Sequence, residues 1–378
     1  MYKIIRLTTI SGSLYYLLKG QLRFLSKYYE IIGVGSDFNT GKLREVSDRE
    51  GVRCIDIPMY REISLLNDMR SLIKLIKLFK KEQPYIVHAN TPKASLLSMI
   101  AAWIIRVPHR IYTVTGLRFE TATKKIRWLL IIMEKITCWC ATKVIPEGEG
   151  VKKMLITNGI TKKPLKVILN GNINGIDVEY FSRSAEVMYK VETIKEGGTF
   201  NFVFVGRIVK DKGINELVRA FSKLIYIYPE IRLHLVGSFE RELDPLDENV
   251  ERMIRENEAI IIWGFQPDIR SFLAASDVFV FPSYREGFPN VVLQAGAMEL
   301  PSIVTDINGC NEIIQDGVNG RIIPPKDEEA LYEAMKWMYE HREMEVKKMI
   351  PYTRPMIVER YEQKKLWEAL LEEYNSLL

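Results

Sequence analysis

Short apolar runs alternate along this chain with longer stretches whose apolar residues recur every third or fourth position. The short runs end in Gly, Asn, Ser or Thr and read as buried strands; the longer ones read as helices. In the first half, strands are expected at Tyr2–Leu7, Glu30–Val34, Val52–Ile57, Tyr85–His88, Arg110–Val114, Lys143–Ile145 and Leu165–Leu169. Helices are expected over about Leu14–Ser26, Leu65–Lys80, Ala94–Ile105 and Lys124–Cys140. Leu72, Ile73, Ile76 and Phe79 set one apolar face against a row of lysines. The second half repeats the alternation, with strands at Phe200–Val205, Ile231–Val236, Ala259–Ile262, Val278–Phe281, Ser302–Thr305 and Arg321–Ile323. A helix follows at Asn215–Tyr228, and two more close the chain at Glu328 to about Lys348 and about Met356–Leu378. Strands that alternate with helices imply parallel, doubly wound sheets.

A Gly/Asn-rich joint (Asn170-Gly171-Asn172, Asn174-Gly175) separates the halves, and the polar stretch Ser182–Thr199 reads as a linker or loop. The expectation is a first domain over 1–175, joined by the last helix at about 356–378, and a second domain over 176–355. At 378 residues the chain fits two domains. Its 47% apolar and 27% charged residues are those of a folded protein. A net charge of +5 is mild for nucleic acid and suits phosphate-bearing ligands or an anionic membrane surface. Cys54, Cys138, Cys140 and Cys310 are scattered, without CxxC, and no secretory signal precedes Met1, so reduced cysteines and a cytoplasmic location are expected. No apolar run reaches the roughly 18 residues that span a bilayer; Ala94–Ile105 reads as a buried helix. His88, His109, His234 and His341 are too dispersed for zinc.

Candidate chemistry sits where strands end, the place where open α/β sheets bind ligands. The stretch Ser283–Leu300 (SYREGFPNVVLQAGAMEL) is a strand exit, a polar loop and a helix start. The free N–H groups of the helix start suit phosphate. Glu286 would repel phosphate, so it suits sugar hydroxyls; read alone, the stretch is equally an exposed loop. Arg207 offers a planar fork for a phosphate and Lys212 a movable charge. In the first half, Ser11-Gly12-Ser13 lies between a strand and a helix and lets a ligand approach, or is simply a tight turn. His88 and Asn90 sit at another strand end, where His88 fits a satisfied structural role as well as a catalytic one. Gly35–Lys42 departs from a phosphate-binding P-loop: five residues part its glycines, and Leu43 replaces the Ser or Thr. It reads as a surface loop. Lys124, Lys125 and Arg127 beside Trp128, Leu129 and Leu130 suit an interfacial helix, although a core helix is the stronger reading. There is no Asp-x-Asp, GxSxG, HExxH or kinase signature, so no metal is expected.

Taken together, GR before KG, the EGFPNVVLQA block, TD…NEIIQDGVNGRIIPP and the NGID…F joint resemble retaining glycosyltransferases of family 4. The resemblance covers nearly the whole chain. The segments TTISGSLYYLLKGQLRFL, VHANTPKA and TVTGLRFE resemble the bacterial branch that builds capsule, O-antigen or lipid-linked oligosaccharides. It implies the GT-B fold: α/β, two Rossmann-like doubly wound parallel-sheet domains facing across a cleft. It implies a metal-independent transfer, without a cofactor, of a hexose or N-acetylhexosamine. The donor would be a nucleotide sugar, most simply a UDP-sugar, and the acceptor a glycan, lipid-linked in some members. Arg207, Lys212 and Glu286 would be catalytic. Gly12, Gly206, Gly237, Gly264, Phe265, Phe288, Pro289, Asn290, Val291 and Gln294 would bind the donor. Ser11, Ser13, His88, Asn90, Thr115 and Gly116 would lie on the acceptor side. Two departures stand out: Gln294 replaces a ribose-binding Glu, and Thr115 replaces a His before Gly116. A nucleotide-sugar 2-epimerase of the same fold, or a non-catalytic nucleotide-sugar-binding assembly subunit, are the alternatives.

Overall fold

The computed structural model describes residues 1–378 apart from Arg61, Thr121 and Leu243 and the side chain of Lys124. The chain forms two compact units, Met1–Gly175 with Gln363–Leu378, and Ile176–Glu362. In the first, β1 (Lys3–Ile10) leads to α1 (Ser11–Leu17), α2 (Gln21–Leu25), β2 (Glu30–Ser36), α3 (Lys42–Glu50) and β3 (Arg53–Asp56). Then follow α4 (Leu65–Glu82), β4 (Ile86–Ala89), α5 (Pro92–Ile104), β5 (His109–Val114), α6 (Lys124–Cys140), β6 (Lys143–Pro146) and α7 (Glu149–Thr157). The parallel sheet runs β3-β2-β1-β4-β5-β6. The interior of β1 is wholly buried because helices cover both sheet faces.

Three expectations change here. The helix expected over Leu14–Ser26 is two helices, because Gly20 turns left-handed (φ +82°). A Cβ on Gly20 would stand 2.5 Å from the Trp367 ring. Leu165–Leu169 is no strand: only Leu165 bridges to Val144, and Leu169 is left-handed at φ +49°. The loop expected at Gly35–Lys42 is there over 37–41, but it leads into an unexpected helix, α3, before which Asp37 accepts from the backbone N–H groups of Gly41 and Leu43.

The second unit runs α8 (Ala185–Val191), β7 (Phe200–Val205), α9 (Ile214–Ile225), β8 (Ile231–Val236), α10 (Glu248–Glu256), β9 (Ile260–Gly264) and α11 (Arg270–Ala274). It continues with β10 (Val278–Phe281), α12 (Asn290–Ala297), β11 (Ser302–Thr305), α13 (Cys310–Ile313), β12 (Gly320–Ile323), α14 (Glu328–Glu340) and α15 (Lys347–Tyr361). Its parallel sheet runs β12-β11-β10-β7-β8-β9. The polar stretch Ser182–Thr199 is not a linker. Ser184 caps α8, Val187 is buried, and Val191 and Ile194 pack on the core.

The closing helices also differ from expectation. Pro351 and Pro355 both lie inside α15, which continues to Tyr361. The chain leaves helical geometry at Glu362 (ψ 133°) and re-enters the first unit as α16 (Gln363–Asn375). Leu366, Leu370 and Tyr374 bury that helix against the first unit.

Candidate active site

Each sheet reverses its winding once. In the second unit the chain lays down β7, β8 and β9 in one direction, then returns to β10 beside β7 and proceeds outward to β12. The carboxyl ends of β7 and β10 are therefore the switch point, where the flanking loops part and leave a ligand crevice. β7 ends at Gly206 and Arg207, and Lys212 follows before α9; β10 ends at Pro282 and the loop that carries Glu286. The sheet order thus brings together the basic and acidic segments singled out in sequence.

The two loops are stitched. The N–H of Tyr284 donates to the Asp211 carbonyl at 2.9 Å, and the Lys212 ammonium is ion-paired with Glu286. Both side chains of that pair are only 16% exposed. Ser283 Oγ donates to Glu286 Oε1 at 2.7 Å, and Thr305 Oγ1 donates to the Ser283 carbonyl at 2.5 Å. The Tyr284 hydroxyl donates to Glu216 on α9 at 2.7 Å. Burial, then the Glu216 contact, raises the Tyr284 phenol far above its usual range, so it stays a donor. Gly213 is left-handed at the start of α9, and a Cβ there would stand 2.0 Å from the Pro282 carbonyl oxygen. Only glycine lets the start of α9 press against the exit of β10.

Arg207 points elsewhere. Its guanidinium donates to Glu240 at 2.8 Å and is half exposed. Gly206 and Gly237 end neighbouring strands; a Cβ on Gly237 would lie 1.8 Å from the Gly206 oxygen. Gly264 ends β9, its carbonyl accepts from the N–H of Gly237, and Phe265 after it is 61% exposed. Phe288 is buried against Tyr361, Pro289 precedes α12 at its N-cap position, and Asn290 and Val291 begin that helix with Gln294 one turn in, half-buried. Cys310 is fully buried, and its thiol is pushed well up by burial and by Glu286.

The switch point of the first unit lies between β1 and β4. Ser11, Gly12 and Ser13 start α1 at the end of β1, and Asn90 and Thr91 follow β4. Thr91 Oγ1 accepts from the N–H of Thr9 at 2.7 Å and ties the two exits. Ser11 is buried against Thr40. Space around Gly12 is open: a Cβ there would meet only Ile10 at 3.8 Å. Thr115 donates to the Asn90 carbonyl at 2.7 Å, and Gly116 follows in a left-handed turn (φ +115°).

His88 does not face this edge. It pairs with Arg6 across the strands, 1% exposed, beneath α16. Arg6 and the Tyr374 hydroxyl both lie on Nδ1. A guanidinium only donates, so Nδ1 accepts, and Nε2 carries the proton and donates to Thr113 Oγ1 at 2.7 Å. Burial first, then Arg6 and Lys143, hold the imidazole well below its usual range. His88 is therefore a neutral structural residue with both nitrogens engaged, not an acceptor-side one. Asn90 is buried too, with Oδ1 accepting from Arg6 at 3.1 Å. Sequence reading missed Glu240, Tyr284, Glu216 and Thr305. Their partners lie far along the chain, and no local spacing signals them.

Residues 199–341 match the family model "Glycosyl transferases group 1" and residues 23–173 match "Glycosyltransferase Family 4". The capsular polysaccharide biosynthesis glycosyltransferase CapM of Staphylococcus aureus is 36% identical over 379 residues, covering 100% of this chain and 97% of that protein. An Escherichia coli UDP-Gal:alpha-D-GlcNAc-diphosphoundecaprenol alpha-1,3-galactosyltransferase is 32% identical, over 78% of this chain and 77% of that one. Among solved structures, Anabaena Alr3699/HepE in complex with UDP and glucose superposes with a TM-score of 0.82 at 18% identity, covering all of both chains. This chain belongs to the family 4 glycosyltransferases, in the branch that holds bacterial capsular and lipid-linked-saccharide enzymes, and it is a glycosyltransferase of the GT-B fold.

Proposed function

We propose that the enzyme moves a hexose or N-acetylhexosamine from a UDP-sugar to a lipid-linked saccharide, with retention of configuration, at the cytoplasmic face of a membrane. The observation that carries this reading is the Lys212–Glu286 pair at the β7/β10 switch point, with Arg207 on the adjoining loop. Each of the two cations is paired with a carboxylate, Lys212 with Glu286 and Arg207 with Glu240. A diphosphate exchanges for those carboxylates as the cations' partner. Glu286, released, accepts hydrogen bonds from donor-sugar hydroxyls. As the glycosidic bond breaks, charge grows on the leaving diphosphate. The pre-placed Arg and Lys then stabilise the transition state more than the ground state, without a metal. The first-turn N–H groups of α12 add partial positive charge. The uridine and the lipid-linked acceptor are supported by the relatives, whose names carry UDP-Gal, diphosphoundecaprenol and UDP.

A thermal-shift titration with UDP, GDP, ADP and CMP, without metal and then with magnesium, tests the donor. A ligand that binds only the folded state raises its stability with the logarithm of its concentration over Kd. A metal-independent shift with UDP alone is expected. Transfer to lipid-linked acceptors is then assayed with Glu286→Ala and Lys212→Ala; unchanged rates in both would remove the site assignment. Turnover of a UDP-sugar without acceptor would point to an epimerase.

A further inference from the structure

We propose that the outer surface of the α4–α5–α6 layer of the first unit docks on an anionic bilayer. The inference deepens the reading of a lipid-linked acceptor, on which its purpose rests, but it stands on different observations. The first is charge. The net +5 of the chain conceals two opposed units: the first holds 31 Lys and Arg against 16 Asp and Glu, a formal +15, and the second 22 against 32, a formal −10.

The second is where that charge lies. α4 and α6 both pack on α5 and form one layer. Along α4, Arg70, Lys74, Lys77, Lys80 and Lys81 are exposed, and among the described residues none is in an ion pair. The acids of the same helix turn away: Asp68 pairs with Lys93, and Glu82 with Lys3 and Arg53. On α6 the single carboxylate, Glu134, is buried and accepts from the Tyr112 hydroxyl at 2.9 Å.

The third is what lies beside the charge. Lys125, Trp128, Leu129, Lys135, Ile136 and Trp139 recur on one face of α6 at helical spacing, and all are exposed. The side chain of Lys124, which the sequence places in the same basic cluster, lies outside the described residues. The opposite face, with Leu130, Ile131 and Cys138, packs on the core. Expected as a core helix, α6 is therefore apolar on both faces. Trp139 and Trp103 at the end of α5 have ring centroids 5.0 Å apart and are 64% and 45% exposed. Beside them a groove of about 740 Å3 runs between Ile136, Trp139, Ile160 and Pro164, flanked by Lys135 and Lys162.

Charge and rings together select the occupant. A nucleic acid would use the lysines and leave the aliphatic and aromatic stripe wet. A second copy would set one basic face against another. An anionic bilayer takes both: the rings enter the headgroup–acyl boundary and the lysines meet the phosphates. No helix among the described residues is long and apolar enough to cross a membrane, so the contact proposed is peripheral.

The test is co-sedimentation of the full chain with phosphatidylcholine vesicles, with and without phosphatidylglycerol. Binding is expected only with phosphatidylglycerol, and weaker at high salt. Lys74→Gln/Lys77→Gln/Lys81→Gln is expected to weaken it about a hundredfold, since each cation near such a surface contributes about a factor of five. Trp128→Ser/Trp139→Ser, exposed and harmless to the core, is expected to weaken it about tenfold or more. Lys347→Gln/Lys348→Gln, in the second unit, is the control and should bind as the parent does. Equal binding to neutral vesicles, no binding, or indifference to both first-unit variants would overturn the proposal. So would a dimer broken by the tryptophan changes, or RNA binding that ignores them. The UDP-induced thermal shift is read on the same samples: a parent protein that shifts with UDP yet does not bind the anionic vesicles refutes the docking face alone, and one that binds them without a UDP shift refutes the donor reading alone.

Discussion

Lys212→Met separates the two roles of the switch-point lysine. The substitution strips Glu286 of its ion-pair partner and leaves it Ser283. Both members of the pair are five-sixths buried, so the carboxylate cannot rely on bulk water. An under-satisfied group of this kind costs about 1–3 kcal/mol, on the order of 2–10 °C in the unfolding midpoint of a unit this size. Arg207→Met is the counterpart. Arg207 is half exposed beside Glu240, so that pair is solvent-screened and contributes about 0–1 kcal/mol. The activity losses should nonetheless match, at about 2–4 kcal/mol of transition-state stabilisation each, or roughly 30- to 1000-fold in kcat/KM. The assay pairs thermal unfolding without ligand with initial rates against UDP-sugar concentration. If the two variants destabilise the protein equally, the account of burial fails. If either lowers kcat/KM by less than about threefold, that cation does not carry the leaving group.

Ser283→Ala and Thr305→Val should lower kcat about tenfold with donor KM little changed, because they loosen Glu286 without touching the cations; wild-type rates in both would show that Glu286 is held by Lys212 alone. Gln294→Glu should lower the donor KM about two- to tenfold by presenting a charged acceptor to ribose hydroxyls, and an unchanged KM would place Gln294 away from the ribose. Gly237→Ala should cost more than about 3 kcal/mol, since its Cβ would overlap the Gly206 oxygen. Gly317→Ala, also left-handed but in open space, should cost about 1 kcal/mol, and equal unfolding midpoints would refute the contrast. His234 accepts from the Trp263 indole at 3.0 Å and is held down to about 4, chiefly by burial. Its unfolded pKa is near 6.5, so its stabilisation is complete above that pH and is lost as pH falls toward 4, about 3 kcal/mol in all. Unfolding midpoints between pH 7.5 and 4.5 should be less steep in His234→Asn, and identical slopes would refute the assignment.

What could be read from the chain was whatever is encoded locally. The strands of both sheets follow from short apolar runs, and the switch-point loops from Gly, Arg, Lys and Glu placed after them. What escaped was set by distant contacts. Gly20 breaks a helix by turning left-handed, in a place where the ring of distant Trp367 leaves no room for a side chain. His88 sits at a strand end in sequence yet is sealed by Tyr374 from the last helix. Ser182–Thr199 is polar by composition, yet Val187, Val191 and Ile194 dock it on the core. The boundary expected at 355 falls inside α15, where the packing of Ile357 and Tyr361 carries the helix through Pro351 and Pro355.

Arg6 has a consequence for how the protein is made. The guanidinium is fully buried, and among the described residues its partners are His88, Gln21, Asn90 and Tyr374, all neutral. Tyr374 belongs to α16, so a nascent chain that has reached Gly175 has the whole first sheet but not the group that closes over its central cation. Ribosomes add about 5–20 residues per second, so the roughly 200 residues still to come leave that unit open for about 10–40 s. The second unit, contiguous in sequence, can close first. Synthesis order thus runs against domain order, and a fragment ending at Gly175 should be a substrate for chaperones and not a folded half.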